Sequence, residues 1–273
     1  MITMNNRTNA QYAAQFNNLT QEVFGISIAG DEWLDNYESY SIIENDVMLA
    51  NVCIFKHDMI IQSNKVRAHQ FGAVATRKSA RGKGYARQLM EHVLSQYPTT
   101  PAFLHANENV TEFYPLFGFK KATTYRAVLD VNLNNAHLEK IHIDMESERL
   151  EEMLSGVRMH SCMVDDTNTA DINMFNLYGY AKHLYLLPQC DAIVVAKQHQ
   201  DTLFLADVIT AKPCTISELL KALPFCAKHI EFGFCPDWLD ITPHWIKDED
   251  ALTYIKGTWN LPKYFRFPCL SET

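Results

Sequence analysis

Phe71 to Gln96 reads FGAVATRKSARGKGYARQLMEHVLSQ, and this stretch decides the fold. Phe71–Thr76 is a short apolar run of a length suited to a buried strand. Arg77–Lys83 is polar and basic, and Gly82 and Gly84 follow one another at a spacing of two. From Ala86 the apolar residues fall at Ala86, Leu89, Met90, Val93, Leu94 and Tyr97, the stripe of an amphipathic helix. A strand therefore feeds a glycine-containing basic turn that opens a helix. The unpaired amides and positive dipole end of such a helix suit a phosphate.

The surrounding chain narrows the ligand. Its 273 residues carry a net charge of −8, and all of that excess lies after residue 125. Between Asp58 and Glu91 there is no acid, while Lys65, Arg67, Arg77, Lys78, Arg81, Lys83 and Arg87 crowd the same interval. A nucleic-acid binder is ordinarily basic overall; one basic loop in an acidic protein fits a small polyphosphate ligand better. No membrane-length apolar run occurs, and MITMNNRTNAQ lacks the apolar core of a signal peptide. Seven scattered cysteines without a CxxC pair predict reduced thiols in a cytoplasmic protein and no metal site. Oligomeric state is not legible.

Helical composition over 8–24 ends at Gly25, a C-cap. Asp31–Asp46 (DEWLDNYESYSIIEND) reads as a helix and turn with a solvated acidic face. Its functional reading is an acceptor-site wall, with Trp33, Tyr37 and Tyr40 offering ring faces to a cationic amine. Val47–Phe55 reads as a buried strand, and Asp58–Arg67 as a turn and a further strand. Ala102–His105 reads as a parallel strand, Asn107–Phe117 as a helix ended by Gly118, and Phe119–Val131 as a strand. Residues 146–160 read as a helix, then strands fall at 183–187, 191–197 and 202–209. A helix over 217–223, capped by Thr215 or Ser217, and a strand over 228–234 repeat the order met between Val47 and His105. The second copy has TAKPCTIS where the first has its glycine loop. The expected division is 1–130 and 131–273.

Two nucleotide motifs fail. Against GxxxxGK[ST], Arg77 stands where the first glycine belongs and Gly84 where Ser or Thr belongs; against GxGxxG, Arg87 replaces the third glycine. What fits is [QR]-x-x-G-x-[GA], at Arg81, Gly84 and Ala86. With it stands Asn107–Phe119 (NENVTEFYPLFGF), which looks like N-x-x-A-x-x-x-Y-x-x-x-G-F with Val110 and Pro115 as departures. On these two blocks the chain resembles the GNAT superfamily of acyl-CoA-dependent N-acyltransferases.

The resemblance implies an α/β (α+β) fold with a mixed central sheet, and acetyl-CoA as cosubstrate without a metal. It implies cofactor contacts from Val74, Ala75, Thr76, Arg81, Gly82, Lys83, Gly84, Tyr85, Ala86, Arg87 and Asn107. Tyr114 matches the family's general acid, a hydroxyl protonated at neutral pH. The general base is open between Glu44, His69 and, by similarity to the enhanced-intracellular-survival acetyltransferases, Thr273 at the end of the sequence. Those enzymes pair an active GNAT domain with a degenerate one, and this chain is too short for their sterol-carrier-like domain. The expected reaction is acetyl transfer to a small-molecule or protein amine, with no nucleic-acid or membrane partner. The alternatives are a non-catalytic acyl-CoA sensor and an interaction module on the same scaffold.

Overall fold

The computed structural model describes residues 2–4, 10–26 and 36–272. In chain order the elements are β1 (Ile2–Met4), α1 (Ala10–Phe24), β2 (Tyr37–Glu44), β3 (Val47–Ile61), β4 (Asn64–Thr76), α2 (Tyr85–Gln96) and β5 (Ala102–His105). There follow β6 (Lys120–Lys121), β7 (Tyr125–Asn134), β8 (Ile141–His142), α3 (Glu148–Ser155), β9 (Val164–Asp166), α4 (Ala170–Leu177) and β10 (Leu184–Leu187). The last are β11 (Ala192–His199), β12 (Thr202–Thr210), α5 (Ile216–Ala222), β13 (Cys226–Phe232), β14 (His244–Lys247) and β15 (Thr253–Lys256).

These strands form two sheets of one design. The first runs β1-β2-β3-β4-β5-β15-β6, with β9 added against β3; the second, read from its far edge, runs β8-β10-β11-β12-β13-β7-β14. Position by position the orientations agree. All pairs are antiparallel except β4 with β5 and β12 with β13, which are parallel. Each parallel pair is bridged by one helix, α2 or α5, as a crossover requires. The repetition read from the sequence is thus a repetition of topology.

The two copies exchange one strand each. β6 stays in the first sheet, but β7, which follows it, crosses to the second and lies between β13 and β14. β15, which follows β14, returns to the equivalent place between β5 and β6. The sheets therefore interlock across the boundary expected at residue 130. β15 brings Tyr254 into the core that α2 covers, and β7 brings Ala127 and Leu133 into the core that α5 covers.

Two local expectations are corrected. Tyr37–Glu44 is a strand, not a helix and turn, because its residues alternate: Tyr37, Ser39 and Ser41 bond with groups of α1 and β3 on one face, while Tyr40 and Ile42 enter the α2 core. Asn107–Phe117 is not one helix but two 3-10 turns, Glu108–Val110 and Tyr114–Phe117. Pro115 removes an amide that a continuous helix needs in its last turn, and it stands at the start of the second 3-10 turn instead. The turn expected within Asp58–Arg67 is the two-residue turn at Gln62–Ser63, both at positive φ. Among the described residues no helix is long and apolar enough to cross a membrane.

Candidate active site

The site forms where β4 leaves β5. Their parallel pairing consists of His69↔Ala102 and Gln70↔Phe103 and stops there. Just beyond, β4 bulges against β3: Cys53 pairs with Gly72 and Asn51 with Ala75, and Ala73 takes φ +43°. A left-handed alanine is an uncommon conformation that its surroundings must hold. The brace is Asn51, fully buried, whose amide nitrogen donates to the Ala73 carbonyl at 3.1 Å. Its amide oxygen accepts from the hydroxyls of Ser39 (2.6 Å) and Ser41 (2.8 Å), and the Tyr12 hydroxyl of α1 joins both serines at 2.7 and 2.6 Å. Burial pushes the Tyr12 hydroxyl up to about 12, so it remains neutral. A chain of polar groups thus runs from α1 to the bulge, leaving Val74, Ala75 and Thr76 along the parted edge.

Past Thr76 the chain reaches the basic loop. Gly82 and Gly84 adopt φ +77° and +81°, which a side chain would strain. Gly84 is the N-cap of α2, with no side-chain cap and no acid in the first turn. The first helical bond runs from Gln88 N to Gly84 O at 3.0 Å. The amides of Tyr85, Ala86 and Arg87 consequently have no acceptor within the helix, and this end of α2 is a ready anion site. Arg81 Nε donates to Thr76 O at 3.4 Å, tying loop to strand. Lys83 is exposed, and Arg87 lies over the Phe117 ring at 6.0 Å. Arg77, by contrast, is spoken for: it donates to Met48 O (2.8 Å) and Glu22 (2.6 Å), pinning α1 to β3.

Asn107 opens the first 3-10 turn directly after β5. Tyr114 begins the second, 6 % exposed, with Phe113, Phe119 and Tyr254 rings around it at 5.4, 6.3 and 6.1 Å. Desolvation raises its hydroxyl to about 12, which keeps a proton on it throughout the neutral range.

The other candidates separate. Tyr37 and Tyr40 lie on opposite faces of β2: Tyr37 packs with Tyr12 and Cys53, Tyr40 bonds to Glu38 and faces His92, so the two do not form one wall. Trp33 and Thr273 lie outside the described residues. Glu44 sits at the end of β2, where it accepts from the Tyr85 hydroxyl at 3.1 Å, beside the basic glycine loop. His69 meets Tyr97 edge-on at 4.4 Å, and burial lowers it to about 4. Glu272, which precedes Thr273, carries its carboxylate 3.8 Å from His105 Nε2 at the end of β5. The Asn51 network and the placing of His105 were not anticipated. A polar Ser39-x-Ser41 pair beside Asn51 within strongly apolar strands was the available signal.

The second copy keeps the bulge and loses the anion site. The β11–β12 register shifts between Val195 and Ala196, placing an extra residue at Ala206 of β12. The α5 end, however, is closed by a capping box. The Glu218 carboxylate accepts from the amide and hydroxyl of Thr215, both at 2.8 Å, and Thr215 Oγ1 accepts from Glu218 N. An internal carboxylate occupies the place a phosphate would need.

This architecture, a bulged strand parting from its parallel neighbour, is of the GNAT type and is present twice, with the uncapped helix in the first copy alone. Residues 6–122 match the family described as an acetyltransferase (GNAT) domain. Over nearly its whole length the chain shares its fold with larger solved proteins. Eis1 from Mycobacterium abscessus superposes with a TM-score of 0.61 at 13 % identity, covering 94 % of this chain and 73 % of that one. A probable N-acyltransferase from Enterococcus faecalis V583 gives 0.58 at 9 % identity, covering 93 % and 72 %. A GCN5-related N-acetyltransferase from Anabaena variabilis ATCC 29413 gives 0.56 at 13 % identity, with the same coverage of 93 % and 72 %. No curated protein sequence matches the chain.

Proposed function

We propose that the first copy is an acetyl-CoA-dependent N-acetyltransferase acting on a primary amine by direct attack, with one acyl-CoA site per chain. The observation that carries this is the continuity between the parted edge of β4 and the uncapped N-terminus of α2. One holds free backbone groups for a pantetheine arm and the other holds free amides for its pyrophosphate. Arg81, Lys83 and Arg87 supply the positive field, and Asn107 stands at the mouth of β5.

In the reaction, the neutral amine attacks the thioester carbonyl. The carbonyl oxygen takes up negative charge, which the backbone of Val74 at the bulge stabilises. Collapse breaks the carbon–sulfur bond, and the Tyr114 hydroxyl gives its proton to the leaving thiolate. The amine's surplus proton leaves to a base, for which Thr273 and Glu44 remain the candidates. The acidic character of the second half favours a cationic acceptor, either a small polyamine-like molecule or a lysine side chain.

Titration calorimetry with acetyl-CoA, followed by an amine panel with thiol detection, tests the reading. Arg81→Glu abolishes binding. Tyr114→Phe keeps binding but cuts turnover about 10²-fold, the usual worth of a placed general acid. Binding without turnover on any amine would instead favour an acyl-CoA sensor, and absence of binding an interaction module.

A further inference from the structure

The second copy's parted strands are not empty. β12 and β13 pair from Thr202↔His229 to Leu205↔Phe232 and then separate, with Gly233 N to Leu205 O (2.7 Å) as the last link. Into that opening runs the segment Pro268–Glu272. Cys269 N donates to Gly233 O at 2.9 Å, and the Cys269 thiol reaches Ala206 O, at the bulge, at 3.5 Å. A Cβ on Gly233 would lie 2.6 Å from Cys269 Sγ and 2.7 Å from Ala206 O, so only glycine leaves the slot open to the segment. Leu270 is 1 % exposed in the core formed by Leu177, Ile193, Val195 and Ile209. From α4, Asn176 Nδ2 donates to the carbonyls of Leu270 (2.8 Å) and Glu272 (2.7 Å), and Ser271 Oγ donates to Asn173 Oδ1 at 3.2 Å. Every one of these partners belongs to the second half.

We propose that the second copy's acyl slot has become an internal peptide-binding slot whose ligand is residues 268–272 of the same chain. By holding that segment, the second copy sets Glu272 against His105 on the rim of the first copy's site. The equivalence of the sheets supports it: Ala206 and the end of β13 occupy the places that Ala73 and the end of β5 occupy in the first copy. An extended peptide supplies the backbone groups that would otherwise meet a pantetheine arm. Asn176 is then a positioning residue, acting on the first site only through the segment it clamps. This last clause rests on the acyltransferase reading; the slot itself does not.

Thiol modification of the native full chain, mapped by mass spectrometry, tests the slot without reference to activity. Exposed Cys162 is the fast reference and buried Cys235 the guard against unfolding. Cys269 is expected to react about tenfold or more slowly than Cys162, since a thiol held in a slot is both shielded and kept protonated. Asn176→Ala, which removes two amide hydrogen bonds, should speed Cys269 by about tenfold with Cys235 unchanged. Cys269 reacting as fast as Cys162, or indifferent to Asn176→Ala, overturns the slot. If Asn176→Ala exposes Cys235, hydrogen exchange of the unmodified chain decides: a slowly exchanging Cys269 amide supports the slot and a fast one rejects it. For the coupling, Asn176→Ala should shift kcat or the amine KM while the acetyl-CoA Kd stays put. Unchanged amine kinetics would leave the slot standing and reject the coupling, whereas failure of the wild-type chain to turn over any amine would reject the acyltransferase reading alone.

Discussion

Asn51→Ala is the sharpest test of how the site is held. The side chain is fully buried and makes four contacts: two serine hydroxyls into its oxygen, and its nitrogen to Ala73 O and to the Cys53 sulfur. Removal strands the Ala73 carbonyl and two buried hydroxyls. A single buried polar group without a partner costs ~1–3 kcal/mol, and the serines keep Tyr12, so about 3 kcal/mol in total is expected. For a chain of this size that lowers Tm by roughly 6–12 °C. Catalysis should suffer separately, because a released Ala73 can leave φ +43° and turn the Val74 backbone away from the carbonyl. Complete loss of such a donor is worth ~10²–10³ in kcat, so at least a tenfold fall is expected from a mis-aimed one. Acetyl-CoA affinity should change little, since the phosphate anchor proposed at α2 is untouched. Tyr12→Phe is the control: it weakens the same network at its α1 end without touching Ala73, and should lower Tm while sparing kcat. Differential scanning fluorimetry beside steady-state kinetics reads both. If Asn51→Ala loses stability yet keeps kcat within about twofold, the bulge does not depend on Asn51.

Two further outcomes follow from the fold. A fragment of residues 1–130 lacks β15, so β5 has no antiparallel neighbour and the Tyr254 position in its core is vacant; circular dichroism and two-dimensional NMR should show it poorly ordered, and a well-dispersed spectrum would refute the strand exchange as an obligate feature. Acid should destabilise the chain through His69, whose ordinary value of 6.5 falls to about 4 on burial. The folded state binds fewer protons there than the unfolded one, so stability is complete above pH ~6.5 and drains away toward pH 4, by up to ~3 kcal/mol at this site. His69→Phe should flatten that part of the Tm profile, and an unchanged slope would place the acid sensitivity elsewhere.

The legible part of this chain is the part written in local pattern. The strand–loop–helix at Phe71–Gln96 could be read because each step follows from neighbouring residues: an apolar run, glycines where φ turns positive, then a 3.6-residue stripe. The same holds for α5, whose Thr215 cap lies three residues before Glu218. Tyr37–Glu44 was misread because its acids and aromatics suggested a helix face, while its alternation only acquires meaning once α1 and α2 stand on opposite sides. The bulge beside Gly72 puts its positive φ on Ala73 rather than on the glycine, which no local pattern announces; it is fixed by Asn51, a residue 22 positions away. The strand exchange is more distant still. Nothing within Thr253–Lys256 distinguishes pairing with β5 from pairing beside β13, since both offer an antiparallel edge.

That exchange bears on why a copy without an anion site persists. If the two copies were independent, loss of phosphate binding in the second would leave it free to be lost altogether. Here the first sheet is incomplete without β15, which lies beyond the whole of the second copy, and the second is incomplete without β7. The second copy also grips Pro268–Glu272 and presents Glu272 to His105. Its core is therefore under constraint from the first copy's needs, while its α5 terminus is not. Glu218 could close the helix end against phosphate, adding about 1 kcal/mol as a cap, because nothing in the first copy's site passes through α5. Constraint follows the strands that cross between the sheets: β7 packs Ala127 and Leu133 against the body of α5, and the second copy's glycine-free turn lies ahead of that contact.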